Sequence, residues 1–171
     1  MPSYPPGSGQ SIAPAVTSTW VFTPTPSVTA TVSLYNTGRS TVYVGKAGVN
    51  QADSMPIPVG NKPVRLQNIG YSLYAVSDVT VGSSVSTLNA AYTAGTTSFV
   101  TGSSVTTSAG SVLIVGTTVN SGWEAVVVSS VSTSGTTVST TTGFVSDHAS
   151  GQPVYAGTAL AGSLFVQAGV V

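Results

Sequence analysis

The sequence predicts an all-β protein: two small β-sandwich or β-barrel modules preceded by an extended, proline-rich N-terminal arm. Three observations lead there. Apolar and polar residues alternate with period two along several short segments, which turns one face of an extended strand to a core and the other to solvent. Valine and threonine dominate these segments, and β-branched side chains lose rotamer freedom in a helix while fitting a pleated surface. Gly, Pro, Ser and Asn punctuate the chain between them, and no segment carries a convincing helical pattern.

The arm is assigned to residues 1–26, where Pro2, Pro5, Pro6, Pro14, Pro24 and Pro26 are spaced so that no helix can propagate. Within it Trp20, Val21 and Phe22 are too apolar for a purely solvated tail. They are the expected partner-binding residues, docking the arm on a neighbouring subunit or partner; the alternative is a disordered terminus.

The first module is expected over residues 27–80. Val28, Ala30, Val32 and Leu34 alternate with Thr29, Thr31 and Ser33 as a half-buried strand. Asn36-Thr37-Gly38 supplies turn chemistry and Thr41-Val42-Tyr43-Val44 resumes the strand, which reads as a hairpin ended by Gly45. Pro56-Ile57-Pro58-Val59-Gly60 is extended, and its prolines confine it to an edge or irregular strand. Val64-Arg65-Leu66 and Ser72–Val76 complete four or five strands.

Residues 77–94 read as a strand or a linker, and the second module with its C-terminal extension is placed at 81–171. Its strand candidates are Thr97–Val100, Ser111–Val115, Glu124–Val128 and Thr136–Thr140, separated by Gly and Ser turns. Gly95-Thr96-Thr97, Gly116-Thr117-Thr118 and Gly135-Thr136-Thr137 recur without a consistent strand pattern after them, which is composition bias and not a solenoid repeat.

Composition narrows the function. Only 5% of the 171 residues are charged and the formal net charge is zero, against roughly 25% charged in an ordinary soluble domain. The four basic residues, Arg39, Lys46, Lys62 and Arg65, form no dense run, which argues against nucleic acid as a direct partner. Without cysteine, neither disulfides nor thiolate metal sites can staple a small fold. A module of about 60 residues buries only about 60% of its unfolded surface, so subunit association is expected to add to stability. Strand edges are usually blunted by Lys or other charges, and here that device is nearly missing, so neighbouring subunits or a partner surface are expected to cover them. The first ten residues carry no export signal, and the apolar runs fall far below the roughly 18 residues of a membrane span. No membrane association is expected.

The inventory for catalysis is thin: one His, four carboxylates and no thiol. No Gly-x-Ser-x-Gly elbow occurs. Gly45-Lys46 lacks the flanking residues of a P-loop. Adjacent Asp147 and His148 point to opposite sides of an extended chain, so Asp147 does not orient its neighbour. Glu124 and His148 sit at corresponding ends of the second module's pattern and can approach each other. A metal site would need more ligands than the region supplies, so Glu124 is read as accepting hydrogen bonds near a strand start and His148 as packing or hydrogen-bonding in the turn before Gly151. Trp20, Trp123, Tyr35, Tyr43, Tyr71 and Tyr74 are core or interface anchors, or alternatively an aromatic platform for sugars. The expectation is a non-enzymatic protein with no catalytic, metal or cofactor site.

Two segments resemble modules of tailed-phage virion proteins. Leu34-Tyr35-Asn36-Thr37-Gly38, Val42-Tyr43-Val44-Gly45, Gly48-Val49, the 56–60 stretch and Leu73-Tyr74-Ala75-Val76 resemble a small β-sandwich of phage head and tail accessory proteins. Gly95–Ser98, Leu113-Ile114-Val115, Glu124, Val126-Val127-Val128, Gly135–Val138 and His148–Val154 resemble a β module widespread among phage structural proteins. The resemblance is greatest to capsid decoration proteins. It implies binding to the outer surface of the shell, a major capsid protein as partner, trimeric self-association, and a location on the virion reached from the host cytoplasm during assembly. A tail, connector or fibre component, or a carbohydrate-binding surface adhesin, are the alternatives.

Overall fold

The computed structural model describes residues 9–15, 17–24, 29–52, 54–60, 62–117 and 123–170. Residues 1–8, 25 and 26 of the expected arm lie outside the described residues, as does Val28 of the first expected strand. Among the described residues there are fourteen strands and no helix. The chain is all-β, as period-two alternation and β-branched composition require.

It forms two compact units. The first comprises residues 1–49, 54–78 and 160–171, the second residues 50–53 and 79–159. This division departs from the expected boundaries of 27–80 and 81–171. Residues 79–159 of the second unit are inserted into the first, and β14 (Leu164–Val170) returns to pair within the first.

The first unit contains two four-stranded sheets. One has the order β1 (Gly9–Ile12), β14 (Leu164–Val170), β3 (Ala30–Asn36), β6 (Val64–Ile69); the other has β2 (Thr19–Phe22), β7 (Leu73–Ser77), β4 (Val42–Gly45), β5 (Met55–Ile57). All pairings are antiparallel. Val32, Leu34, Leu164 and Val166 from the first sheet share one core with Val21, Phe22, Val42, Val44, Ile57, Leu73 and Ala75 from the second, which makes the unit a β-sandwich. The alternation along β3 is regular: Ala30, Val32, Leu34 and Asn36 are buried and the residues between them are not.

The expected hairpin between β3 and β4 is instead a crossing from one sheet to the other, since β3 pairs with β14 and β6 while β4 pairs with β5 and β7. Buried Asn36 explains the change of layer. Its Nδ2 donates to the Ser40 and Ile57 carbonyls, both at 2.8 Å, and its Oδ1 accepts from Gly38 N at 3.0 Å. A side chain here supplies the bonds that a hairpin partner would otherwise make. Thr37 N and Gly38 N donate to the Ser163 carbonyl, so the crossing is held by the returning C-terminal segment. Pro56 lies on β5, an edge strand, where a missing N–H leaves no interior ladder bond unmade.

In the second unit the strand order is β8 (Val79–Thr87), β13 (Pro153–Ala159), β10 (Val112–Val115), β11 (Glu124–Val131), β12 (Thr137–Thr140), β9 (Ser98–Val100). A bridge between Leu88 and Thr101 joins the two ends of that order. Asn89 N donates to the Val100 carbonyl at 2.9 Å and Gly102 N to the Thr87 carbonyl at 2.8 Å. The sheet thus closes on itself as a small barrel filled by Leu88, Phe99, Leu113, Val115, Val126, Val128, Val138, Phe144 and Val154. Closure pairs the end strands where they meet and lessens the barrel's need for charged edge residues or a covering subunit. Between β11 and β12 the turn closes at Gly135, whose φ of 75° lies in the left-handed region that suits glycine.

Candidate functional site

Two groups of residues were singled out by sequence, and the structure gives each a definite place. Trp20, Val21 and Phe22 form most of β2. Trp20 pairs with Tyr74 and Phe22 with Leu73, and the register shifts between them. This bulge lets two successive residues turn inward, so Val21 and Phe22 are both buried in the sandwich core, at 1% and 6% exposure. Trp20 stays half-buried, its indole N–H donating to Thr23 Oγ1 at 2.8 Å. The apolarity read as a partner-docking signal is, for Val21 and Phe22, the signature of a core strand.

The second group is a buried polar cluster in the barrel unit. Glu124 opens β11, placed there by the β10–β11 ladder, in which it pairs with Val115. His148 lies in the 141–152 connection, fixed by mutual backbone bonds with Tyr92 at 2.8 Å in each direction. These two backbone constraints bring the side chains together, with His148 Nε2 2.7 Å from Glu124 Oε1. The other ring nitrogen, Nδ1, lies 2.8 Å from Gln152 Oε1. Glu124 also accepts backbone hydrogen bonds: Val145 N reaches Oε2 at 2.8 Å and Oε1 at 3.0 Å, and Ser146 N reaches Oε1 at 3.2 Å. Phe144 meets the imidazole edge-on at 4.6 Å and stacks on Phe99 at 5.3 Å, while Tyr92 meets both phenyl rings edge-on.

This arrangement braces a loop. The carboxylate oxygens are occupied by two backbone amides and an imidazole, and both imidazole nitrogens are engaged. No hydroxyl is among the cluster's bonded groups to act as a nucleophile. Among the described residues no group of three or more His, Asp or Glu is placed to hold a metal ion. Asp147 turns away, as its position next to His148 predicts, and accepts the Ala94 amide at 2.8 Å. Gln152 and the aromatic lid of Tyr92, Phe99 and Phe144 were not foreseen; no sequence signal marks a glutamine four residues after a histidine as its hydrogen-bond partner.

The remaining aromatic candidates do not form one platform. Tyr35 meets Phe165 edge-on at 5.9 Å, Tyr71 lies under Lys46 Nζ at 4.7 Å, and Tyr74 opposes Trp20. Tyr43 has its phenol pushed above the ordinary value, first by burial and then by the charge of Asp78 and a hydrogen bond to it. Arg39, Lys46, Lys62 and Arg65 are all exposed. No helix among the described residues is long and apolar enough to cross a membrane, which says nothing of strands. Compared with known proteins, the chain matches no family model, no curated protein and no solved structure.

Proposed function

We propose that the protein is a non-enzymatic structural component of a tailed-phage virion, a decoration protein that binds the outer capsid surface and stabilises the shell. The observation that carries this reading is an almost charge-free chain whose described residues form two β units, with a buried polar cluster that serves to brace a loop. The resemblance of the two segments to virion modules supplies the particular setting. A major capsid protein is the proposed partner and a trimer the proposed oligomer, because small units without disulfides gain stability from further buried area. Locating the protein on intact particles by immunolabelling tests the reading. Label on the head surface supports it; label confined to tail or fibre, or absent from particles, rejects it.

A further inference from the structure

The outer face of the β1-β14-β3-β6 sheet takes no part in the polar cluster above. Positions that alternate away from the core on these strands line up in two rows of directly paired residues. One row runs Gly9, Gln167, Ser33, Arg65 and the next runs Ser11, Phe165, Tyr35. At a strand spacing of about 4.8 Å the first row spans about 14 Å, and Gln167 and Arg65 stand about 10 Å apart on either side of Ser33. A small residue between two long ones makes a notch.

The second row lies beside it. Phe165 and Tyr35 meet edge to face at 5.9 Å and 64°, and the Phe165 ring lies across Gly9 so closely that a Cβ there would collide with it. Both rings are half-buried while Arg65 and Gln167 are exposed. Among the described residues Arg65 makes no salt bridge, so its guanidinium has no carboxylate partner there. The face therefore combines a planar cation, an amide, a hydroxyl and a pair of aromatic rings on adjacent rows of one sheet.

We propose that this face binds an acidic oligosaccharide. Arg65 takes the carboxylate of a uronic- or sialic-acid unit, Gln167 and Ser33 bond its hydroxyls, and Tyr35 receives the apolar face of the adjoining sugar ring. A guanidinium matches a carboxylate in two parallel hydrogen bonds. The glutamine amide both donates and accepts, as vicinal hydroxyls require, and an aromatic ring with a polar tip suits a ligand that is apolar on one face. Arg65 alone would serve any carboxylate; the vicinal hydroxyls of a sugar acid add partners for Gln167 and Ser33, and its ring an apolar face for Tyr35. The proposal does not rest on a capsid location.

The test uses the full chain and three probes, trigalacturonate, sialyllactose and a hyaluronan tetrasaccharide, with methyl-esterified trigalacturonate as the uncharged control. Saturation-transfer NMR and calorimetry are expected to give at least one acidic probe a Kd of about 1 mM or tighter. Ester binding should be at least tenfold weaker, and amide shifts in the wild-type protein should fall on β3, β6 and β14. Arg65→Gln should weaken binding at least tenfold, whereas Lys46→Gln leaves it unchanged. The proposal is overturned if none of the three acidic probes binds, if ester and acid bind alike, or if the shifts map to another surface. The shift map needs no variant, so it decides the matter even where a substitution impairs folding.

Discussion

At the scale of single residues, the informative side chains are the buried polar ones, because each must find its partners inside the fold. Glu124→Gln keeps the shape but replaces one acceptor oxygen by a donor facing amides that also donate. It should destabilise the barrel unit by about 1–3 kcal/mol. His148→Ala takes the imidazole from Glu124, which keeps the Val145 and Ser146 amides, and from Gln152 Oε1, and should cost about 1–3 kcal/mol. Urea unfolding followed by Trp123 fluorescence in a Trp20→Phe background reads the barrel alone; wild-type midpoints in both variants would reject the brace. Tyr43 gives a pH dependence of opposite origin. Its folded-state value is raised above the unfolded one, so its contribution to stability is complete below the ordinary phenol range and is lost as pH rises through the raised value. Unfolding midpoints measured from about pH 8 to about pH 12 should fall at the alkaline end. Tyr43→Phe should shrink that fall.

Among the elements, β14 is an interior strand of the first unit. It lies between β1 and β3 and fills the sandwich core with Leu164 and Val166, exposed by 0% and 5%. Leu164→Ala should destabilise the sandwich by about 2–5 kcal/mol. Deleting residues 160–171 should unfold it while leaving the barrel's signals in place, since the barrel's strands all lie between 79 and 159. Two-dimensional NMR of the truncated chain distinguishes these outcomes, and loss of the barrel resonances would show that the units do not fold separately. The bulge in β2 and the crossing from β3 to β4 mark where period-two reasoning ran out. Alternation predicts which face a residue takes in a regular strand, but two inward residues in succession at Val21 and Phe22 need an irregular ladder, and the local sequence does not announce one.

For the molecule as a whole, the main feature is the insertion of one β unit into another. Leu160 N donates to the Asp78 carbonyl at 2.9 Å in the first unit, and Val79 pairs with Ala159 in the second. The barrel thus begins and ends at neighbouring points. Replacing residues 79–159 by a short Gly-Ser link should leave a folded sandwich, and residues 79–159 alone should fold as a barrel. Circular dichroism and amide dispersion of the two fragments check this, and a collapsed spectrum from either would show that it depends on the other. Self-association belongs to the same scale. Sedimentation across a wide concentration range should reveal a trimer, and a strict monomer both in solution and on particles would remove that proposal.

The sequence by itself determined the all-β class and most of the strands. Alternation at Ala30, Val32 and Leu34, the strand at 112–115 and the edge position of Pro56 were all legible, because each follows from a residue's own backbone preference or from a short pattern of burial, whereas Glu124 and His148 were legible only as residues able to approach each other. Only the tertiary structure decided which strands pair. A strand's N–H and C=O groups are satisfied equally well by any extended neighbour, so nothing local in Leu164–Val170 says that it belongs beside β3. Nor does anything in Leu88 or Thr101 say that they close a barrel. The same indifference hid Gln152 and placed Val21 and Phe22 in a core. Long-range pairing chose the partners, and burial then fixed what each side chain does.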